Sequence, residues 1–136
     1  MLVKVCNHNQ KLFGDKVFHV YLPYDLPASV KRFLDRIQPR FAVIMETEIW
    51  PNLFTTRKER SIPIVVTNAR LSERSLRGYG PVRPLARRAI RCASFVAAQS
   101  PQDAERLRTL GAAVTRLAVI GNLKFDMQVP DNLPSM

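Results

Sequence analysis

Four short runs of apolar residues, at 41–45, 64–66, 95–98 and 117–120, constrain the possible folds of this chain more than any other feature. They show little alternation of polar and apolar residues, which is typical of strands buried on both faces of a parallel sheet. A fifth run, at 19–22, precedes them, and helical patterns separate the runs. The sequence therefore predicts an α/β fold with a parallel sheet of about five strands, flanking helices and right-handed crossovers.

Local signals mark where the helices between these runs begin. Asp25 is interpreted as the N-cap of the first helix, because its side chain can accept bonds from a first helical turn. Pro51 opens the second helix and either Pro81 or Pro84 opens the third. Ser100 is interpreted as the N-cap of the fourth helix rather than as a nucleophile.

Charge is the first indication of a partner. The 136 residues include 21 Lys and Arg against 11 Asp and Glu, a formal net charge of +10. This surplus favours partners that carry phosphates, such as nucleic acid, anionic lipid or a phosphorylated small molecule. A plain solvated basic surface is the alternative.

Several classes of protein are excluded by what the sequence lacks. The two cysteines, Cys6 and Cys92, form no CxxC pair, so we expect neither a disulfide scaffold nor a metal site, and no cofactor is predicted. No apolar run approaches the roughly 20 residues of a membrane-spanning helix. Polar residues at 7–10 interrupt any signal-peptide pattern, which predicts a cytoplasmic location.

Polar side chains follow the apolar runs at one edge of the predicted sheet. Glu46 and Glu48 come after the run at 41–45, Asn68 and Arg70 after the run at 64–66, and Lys124 after the run at 117–120. Ligands of open parallel sheets bind outside the carboxyl ends of the strands, where these residues would meet. We therefore expect a binding or catalytic site there.

Structural roles stay open for the same residues. Glu48 can stabilise the N-terminus of the second helix, because negative charge is favoured there. Glu46 can form a structural ion pair with Lys124 or Arg70. Asn68 can hold its own loop in place.

The third predicted helix carries much of the positive charge. An apolar face, with Leu85, Ala89 and Ile90, lies opposite a basic one, and we expect it to pack inward or to dip toward acyl chains. The arginines of this helix are Arg83, Arg87, Arg88 and Arg91. A basic amphipathic helix is typical of an element that contacts a membrane surface or phosphate groups, and a solvated face is the alternative.

Four motifs resemble those of one enzyme family. They read METEIWPN at 45–52, NARLSERS at 68–75, AAQS at 97–100 and GNLKFD at 121–126, and VYLPYD at 20–25 extends the match. In this order and spacing they resemble 3-deoxy-D-manno-octulosonic acid (Kdo) transferases, over roughly residues 12–126. The resemblance implies a glycosyltransferase of lipopolysaccharide biosynthesis with two Rossmann-like domains, the GT-B arrangement.

What the family does supplies further expectations. It moves Kdo from CMP-Kdo to the lipid A precursor on the cytoplasmic face of the bacterial inner membrane. The resemblance makes Glu46 and Lys124 catalytic and places Glu48, Asn68, Arg70 and Arg74 in substrate binding. It also implies contact of the arginine-rich helix with the anionic membrane or the acceptor phosphates.

The same resemblance divides the chain into three segments. Residues 1–10 are a divergent N-terminal segment, 11–126 a partial Rossmann-like acceptor-side domain, and 127–136 a linker or frayed tail. The family's general base, membrane anchor and donor-binding domain match nothing here, so we expect a fragment that is inactive alone. A basic nucleic-acid-binding module or a structural Rossmann-like module is the alternative, although no nucleic-acid-binding signature is visible.

Overall fold

The four inner apolar runs form one parallel sheet whose strands pair in chain order. The computed structural model describes residues 3–4 and 18–121. Within them the strands are β1 (Val3–Lys4), β2 (Phe18–His19), β3 (Ala42–Met45), β4 (Ile64–Ala69), β5 (Phe95–Ala98) and β6 (Leu117–Val119). The main sheet has the order β3-β4-β5-β6, all parallel, and β1 pairs separately with β2, also in parallel. The predicted α/β fold with a parallel sheet is therefore confirmed.

The run at 19–22 does not add a fifth strand to this sheet. Only His19 of that run is extended into a strand, and it pairs with Lys4 in the separate two-stranded sheet. Pro23 follows closely, and it has no N–H to donate to a continued ladder. Within the described residues the main sheet thus has four strands rather than about five.

Helices connect the strands, mostly where the sequence predicts them. They are α1 (Pro27–Ile37), α2 (Pro51–Glu59), α3 (Glu73–Gly78), α4 (Arg83–Cys92) and α5 (Pro101–Leu110). Short 3₁₀ turns cover Gly80–Val82 and Val114–Arg116. The short helix α3 was not predicted, although Ser72 marks its start by accepting a hydrogen bond from the Ser75 N–H.

Two of the predicted helix starts can be compared at atomic detail. The Ser100 hydroxyl accepts from the N–H of Asp103 at 3.1 Å, so its role as the N-cap of α5 is confirmed. The prediction for Asp25 is wrong. Residue Leu26 occupies the N-cap position of α1 without a side-chain bond, and Asp25 caps α2 instead.

The helices α1, α2, α4 and α5 form a row against one face of the main sheet. Neighbours in this row contact one another, α1 with α2, α2 with α4, and α4 with α5. Strands that pair in chain order, joined by right-handed crossovers, place successive helices on the same side. The largest buried side chains of this layer and the sheet are Phe54, Ile64, Leu71, Ile90, Leu107, Leu110, Val66 and Val96.

The other face of β3 is open, which corrects the expectation of strands buried on both faces. Along β3, Ala42 and Ile44 are partly buried, whereas Val43 is 42% exposed and Met45 is 51% exposed. The exposed positions are themselves apolar, so no alternation of polar and apolar residues reveals this one-sided burial in the sequence. Burial in β4 also alternates along its first residues.

Arg57 joins α2 to the amino-terminal edge of the sheet. Its side chain is 4% exposed and donates to the carbonyls of Phe54 at 3.2 Å and Ile62 at 2.7 Å, and to the Ser94 hydroxyl at 3.3 Å. Burial lowers the pKa of this guanidinium. An arginine at the end of a helix is favoured by the helix dipole even when it is solvated. Arg57 is buried instead, and it holds the helix to the sheet through hydrogen bonds.

None of the helices found between residues 18 and 121 combines the length and apolar character needed to cross a membrane.

Candidate functional site

Thr47 ties together the two loops that leave the carboxyl ends of β3 and β4. Its hydroxyl accepts from the Arg70 N–H at 2.9 Å and lies in hydrogen-bond contact with the Arg70 carbonyl. The Glu46 N–H donates to the Thr67 carbonyl at 2.9 Å. Glu46 and Arg70 therefore sit on one connected unit, as their positions after neighbouring strands predict. Thr47 itself was not singled out in the sequence.

The loop after β3 and the last residues of β4 each contain a left-handed backbone conformation at a residue other than glycine. Glu46 has φ of 60° and Asn68 has φ of 50°. Asparagine tolerates this region, whereas a glutamate there costs about 1 kcal/mol or more. The pairing of β4 with β5 is also irregular between Val66 and Ala69, around Asn68. Strain of this kind persists where a side chain must be aimed in a particular direction.

Asn68 presents an acceptor with no partner. Its side chain is 4% exposed, and no hydrogen bond to its Oδ1 is found within residues 18–121. A buried amide oxygen without a donor costs about 1–3 kcal/mol. This oxygen therefore takes no part in holding its own segment of chain in place.

Asp25 takes over the structural role considered for Glu48. The Asp25 carboxylate accepts from the N–H groups of Asn52 and Leu53, both at 2.9 Å, and its carbonyl accepts from the Asn52 amide at 2.6 Å. The N-terminus of α2 is thus already capped by a negative charge. Glu48 is exposed and makes no hydrogen bond or ion pair within the described part of the chain.

The remaining charged residues of the predicted site are exposed. Glu46, Arg70 and Arg74 have exposed side chains. None of the ion pairs found within residues 18–121 involves them, so the structural ion pair of Glu46 with Arg70 does not form there. Lys124 lies outside the described residues. The same part of the chain shows no group of three His, Cys, Asp or Glu side chains that could hold a metal ion.

Asp103 anchors the loop that follows Arg70. Its side chain is buried, accepts from the Leu71 N–H at 2.9 Å and accepts from the Ser100 hydroxyl at 2.5 Å. Arg106 donates to the Leu71 carbonyl at 3.3 Å. The sequence signal for Asp103 is its place three residues after the N-cap, but its bond to Leu71 joins residues distant in sequence.

Arg77 and Glu73 form an ion pair at the surface of α3, one turn apart. The hydrogen bond from Arg77 and its positive charge lower the pKa of Glu73. Arg74 lies between them in sequence and stays unpaired within the described residues. Of the two arginines of α3, Arg77 is thus used in a local ion pair, whereas the guanidinium of Arg74 is free within the described residues.

Away from the sheet edge, α2 and α4 border an open groove of about 740 Å³. Its lining includes Lys58 and Glu59 of α2 and Arg87, Arg88 and Arg91 of α4. The full lining is completed by Thr55, Pro84 and Cys92. Three of the four arginines predicted to contact phosphates or a membrane thus converge here.

Two residues of α4 lie apart from the groove and the core. Arg83 is not part of the groove lining, and it donates to the Thr109 carbonyl at the end of α5, at 3.1 Å. Leu85 does not pack inward, because it is 51% exposed, and only the second expectation for the apolar face, entry into acyl chains, stays open for it. The buried face of the helix includes Ala86, Ala89 and Ile90, and Leu85 lies at the side of this face.

Comparisons with known proteins agree on one family. The family model described as 3-deoxy-D-manno-octulosonic-acid transferase matches residues 6–127. A protein of this name from Haemophilus influenzae is 44% identical over 121 residues, which cover 89% of this chain and 28% of the relative. A second, from Bordetella pertussis, is 36% identical over 127 residues, which cover 90% of this chain and 29% of the relative.

A solved structure is similar in fold. The Staphylococcus aureus MnaA–UDP co-structure superposes with a TM-score of 0.54 at 14% identity, over 89% of this chain and 35% of that one. At this identity the likeness concerns the fold alone. The chain spans less than a third of the length of the two relatives.

Proposed function

The chain belongs to the Kdo transferase family, and we propose that it carries the acceptor-side part of an enzyme that transfers Kdo from CMP-Kdo to a lipid A precursor. In this proposal the enzyme acts in lipopolysaccharide biosynthesis at the cytoplasmic face of the bacterial inner membrane. The family membership supports glycosyl transfer. The two linked loops at the carboxyl edge of the sheet support the assignment of residues.

The observation that carries the proposal is the backbone of Glu46. A glutamate is held in a left-handed conformation by bonds to the next strand, while its carboxylate stays exposed and without an ion pair among the described residues. A structural acid would gain little from this arrangement. An acid that must face a reacting group gains a fixed direction, which compensates for the strain.

The chemistry of transfer accounts for the charges at this edge. As the bond from the sugar to the CMP phosphate breaks, positive charge develops at the anomeric carbon and negative charge on the leaving phosphate. The Glu46 carboxylate suits the first, and we assign Lys124 to the second, because fixed charges aimed at developing ones lower the barrier.

Binding roles go to the polar residues around them. Arg70 and Arg74 offer exposed guanidinium groups to acidic parts of the substrates, and Glu48 offers an acceptor. Asn68 takes the substrate-binding role that the family resemblance gives it, and its buried Oδ1 accepts from a sugar hydroxyl only where substrate binding uncovers it. The other three roles follow from exposed charged groups that are free within the described residues.

A chimeric enzyme tests the proposal. Residues 6–127 replace the matching segment of the H. influenzae relative, and transfer of Kdo from CMP-Kdo to lipid A precursor is measured. We expect turnover in the chimera and a loss of roughly 10²-fold or more in kcat for Glu46→Gln, as for other electrostatic stabilisers. The melting temperature should stay nearly unchanged, because the Glu46 side chain is exposed.

Glu105→Gln is the matched control, since it removes the same charge from an exposed position on α5. It should leave kcat unaltered. A chimera that unfolds cooperatively but transfers no Kdo contradicts the proposed function. Full turnover in Glu46→Gln contradicts the role of Glu46 alone.

A further inference from the structure

The groove between α2 and α4 concentrates more positive charge than its single acid can neutralise. Lys58, Arg87, Arg88 and Arg91 line it against a single acid, Glu59. Within residues 18–121 the four cations make no side-chain hydrogen bond or ion pair. Like charges held this close repel one another, so an anion in the groove would relieve the repulsion.

The packing of Arg87 gives the groove a fixed wall. Gly111, with φ of 131°, lies against the Arg87 side chain. A Cβ at Gly111 would be only 2.5 Å from the Arg87 Cγ, so a larger residue would not fit there. The aliphatic stem of Arg87 thus lies directly against the end of α5. A stem held by packing loses less freedom when its guanidinium binds a ligand.

The side chains around the groove suit a phosphate group. Arginine binds phosphate through paired N–H groups, and the groove offers three guanidinium groups and one ammonium group. The Thr55 hydroxyl, also in the lining, can donate a further hydrogen bond. Val82 at 50% and Leu85 at 51% exposure are exposed apolar residues of the same segment of chain, directly before and within α4.

We propose that this groove is a binding site for a phosphate ester, separate from the site at the sheet edge. None of its lining residues belongs to the loops around Glu46 and Asn68. Exposed apolar side chains in the same helical segment as basic ones favour a phosphate carried by a lipid headgroup, because such side chains can enter the acyl boundary. The groove site goes beyond the proposed transfer reaction, and its ligand need not be a substrate.

Binding to vesicles and to free glycerol phosphate tests the groove. The full chain is sedimented with phosphatidylcholine vesicles that contain or lack phosphatidylglycerol, and it is titrated separately with glycerol phosphate. The variant combines Arg87→Gln, Arg88→Gln and Arg91→Gln. Each cation near an anionic surface contributes roughly fivefold in affinity, so vesicle binding should fall on the order of 100-fold.

A second variant removes equal charge elsewhere, through Arg32→Gln, Arg36→Gln and Arg40→Gln on and after α1. It should keep vesicle binding within about threefold, because none of these three arginines lines the groove. Loss confined to the groove variant supports the site, with vesicles identifying a lipid source and glycerol phosphate a free one. Equal loss in both variants, no binding of either probe, or tighter binding of duplex DNA overturns the proposal. No sugar nucleotide is present, so the result is independent of transfer activity.

Discussion

Replacing Asp25 by alanine removes the cap that joins the start of α1 to the start of α2. The carboxylate accepts from the N–H groups of Asn52 and Leu53, both at 2.9 Å, across more than 20 residues of sequence. Without it, two of the four unpaired N–H groups of this helix end lose their acceptor. We expect the chain to fold with a lower free energy of unfolding.

The size of the loss follows from these two bonds. Removing an N-cap costs about 0.5–2 kcal/mol, and a hydrogen bond to a charged group contributes about 1.5–3 kcal/mol. The site is only partly buried, so water replaces part of what the carboxylate supplies. We therefore expect a loss of about 2 kcal/mol, which for a chain of this length lowers the melting temperature by roughly 7 °C.

Circular dichroism during heating measures this change, with Asp35→Ala as the matched control. Asp35 forms an exposed ion pair with Arg60 at 2.6 Å, and pairs of this kind contribute about 0.2–1 kcal/mol. The control should shift the melting temperature by less than about 4 °C. Asp25→Asn keeps one acceptor and should lose about half as much as Asp25→Ala. If Asp25→Ala shifts the transition no more than Asp35→Ala, the cap does not hold α2.

Two further predictions concern the sheet-edge loop and a partly buried phenol. Glu46→Gly should raise the free energy of unfolding by up to about 1 kcal/mol, because glycine adopts φ of 60° without strain. Urea titrations measure this change, and a lower stability of the variant would refute the strain at Glu46. Burial raises the pKa of Tyr79, so its protonated form contributes stability that is present below pH of about 10 and lost as the pH rises through the folded value. Tyr79→Phe should remove a phenol that ionises above the usual range in absorbance titrations of the folded chain, and an unchanged titration curve would contradict this.

Local signals in the sequence predict the fold well where both partners are close in sequence. Ser100 caps α5 through a residue only three positions away, so its role is readable from the motif itself. Asp25 shows the limit of such reasoning. It lies one residue before the N-cap position of α1, but its carboxylate accepts from N–H groups at the start of α2, which only the packed structure brings near.

The candidate site divides in a similar way. The rule that ligands bind at the carboxyl ends of parallel strands places Glu46 and Arg70 together, and Thr47 joins them. The left-handed backbone of Glu46 could not be predicted, because glutamate has no preference for that region. The groove could not be predicted from the sequence either, because Lys58 and Arg91 line the same space only when α2 packs on α4.

The strand order of the main sheet bears on how the chain folds during its synthesis. Ile44 pairs with Val66, Val66 with Val96 and Val96 with Leu117, so each strand after β3 finds its partner in the strand made just before it. Closing each pair costs only the entropy of the one connection that joins two successive strands. The sheet can therefore grow from β3 outward as the ribosome releases it, and β4, β5 and β6 can each pair as soon as they are made.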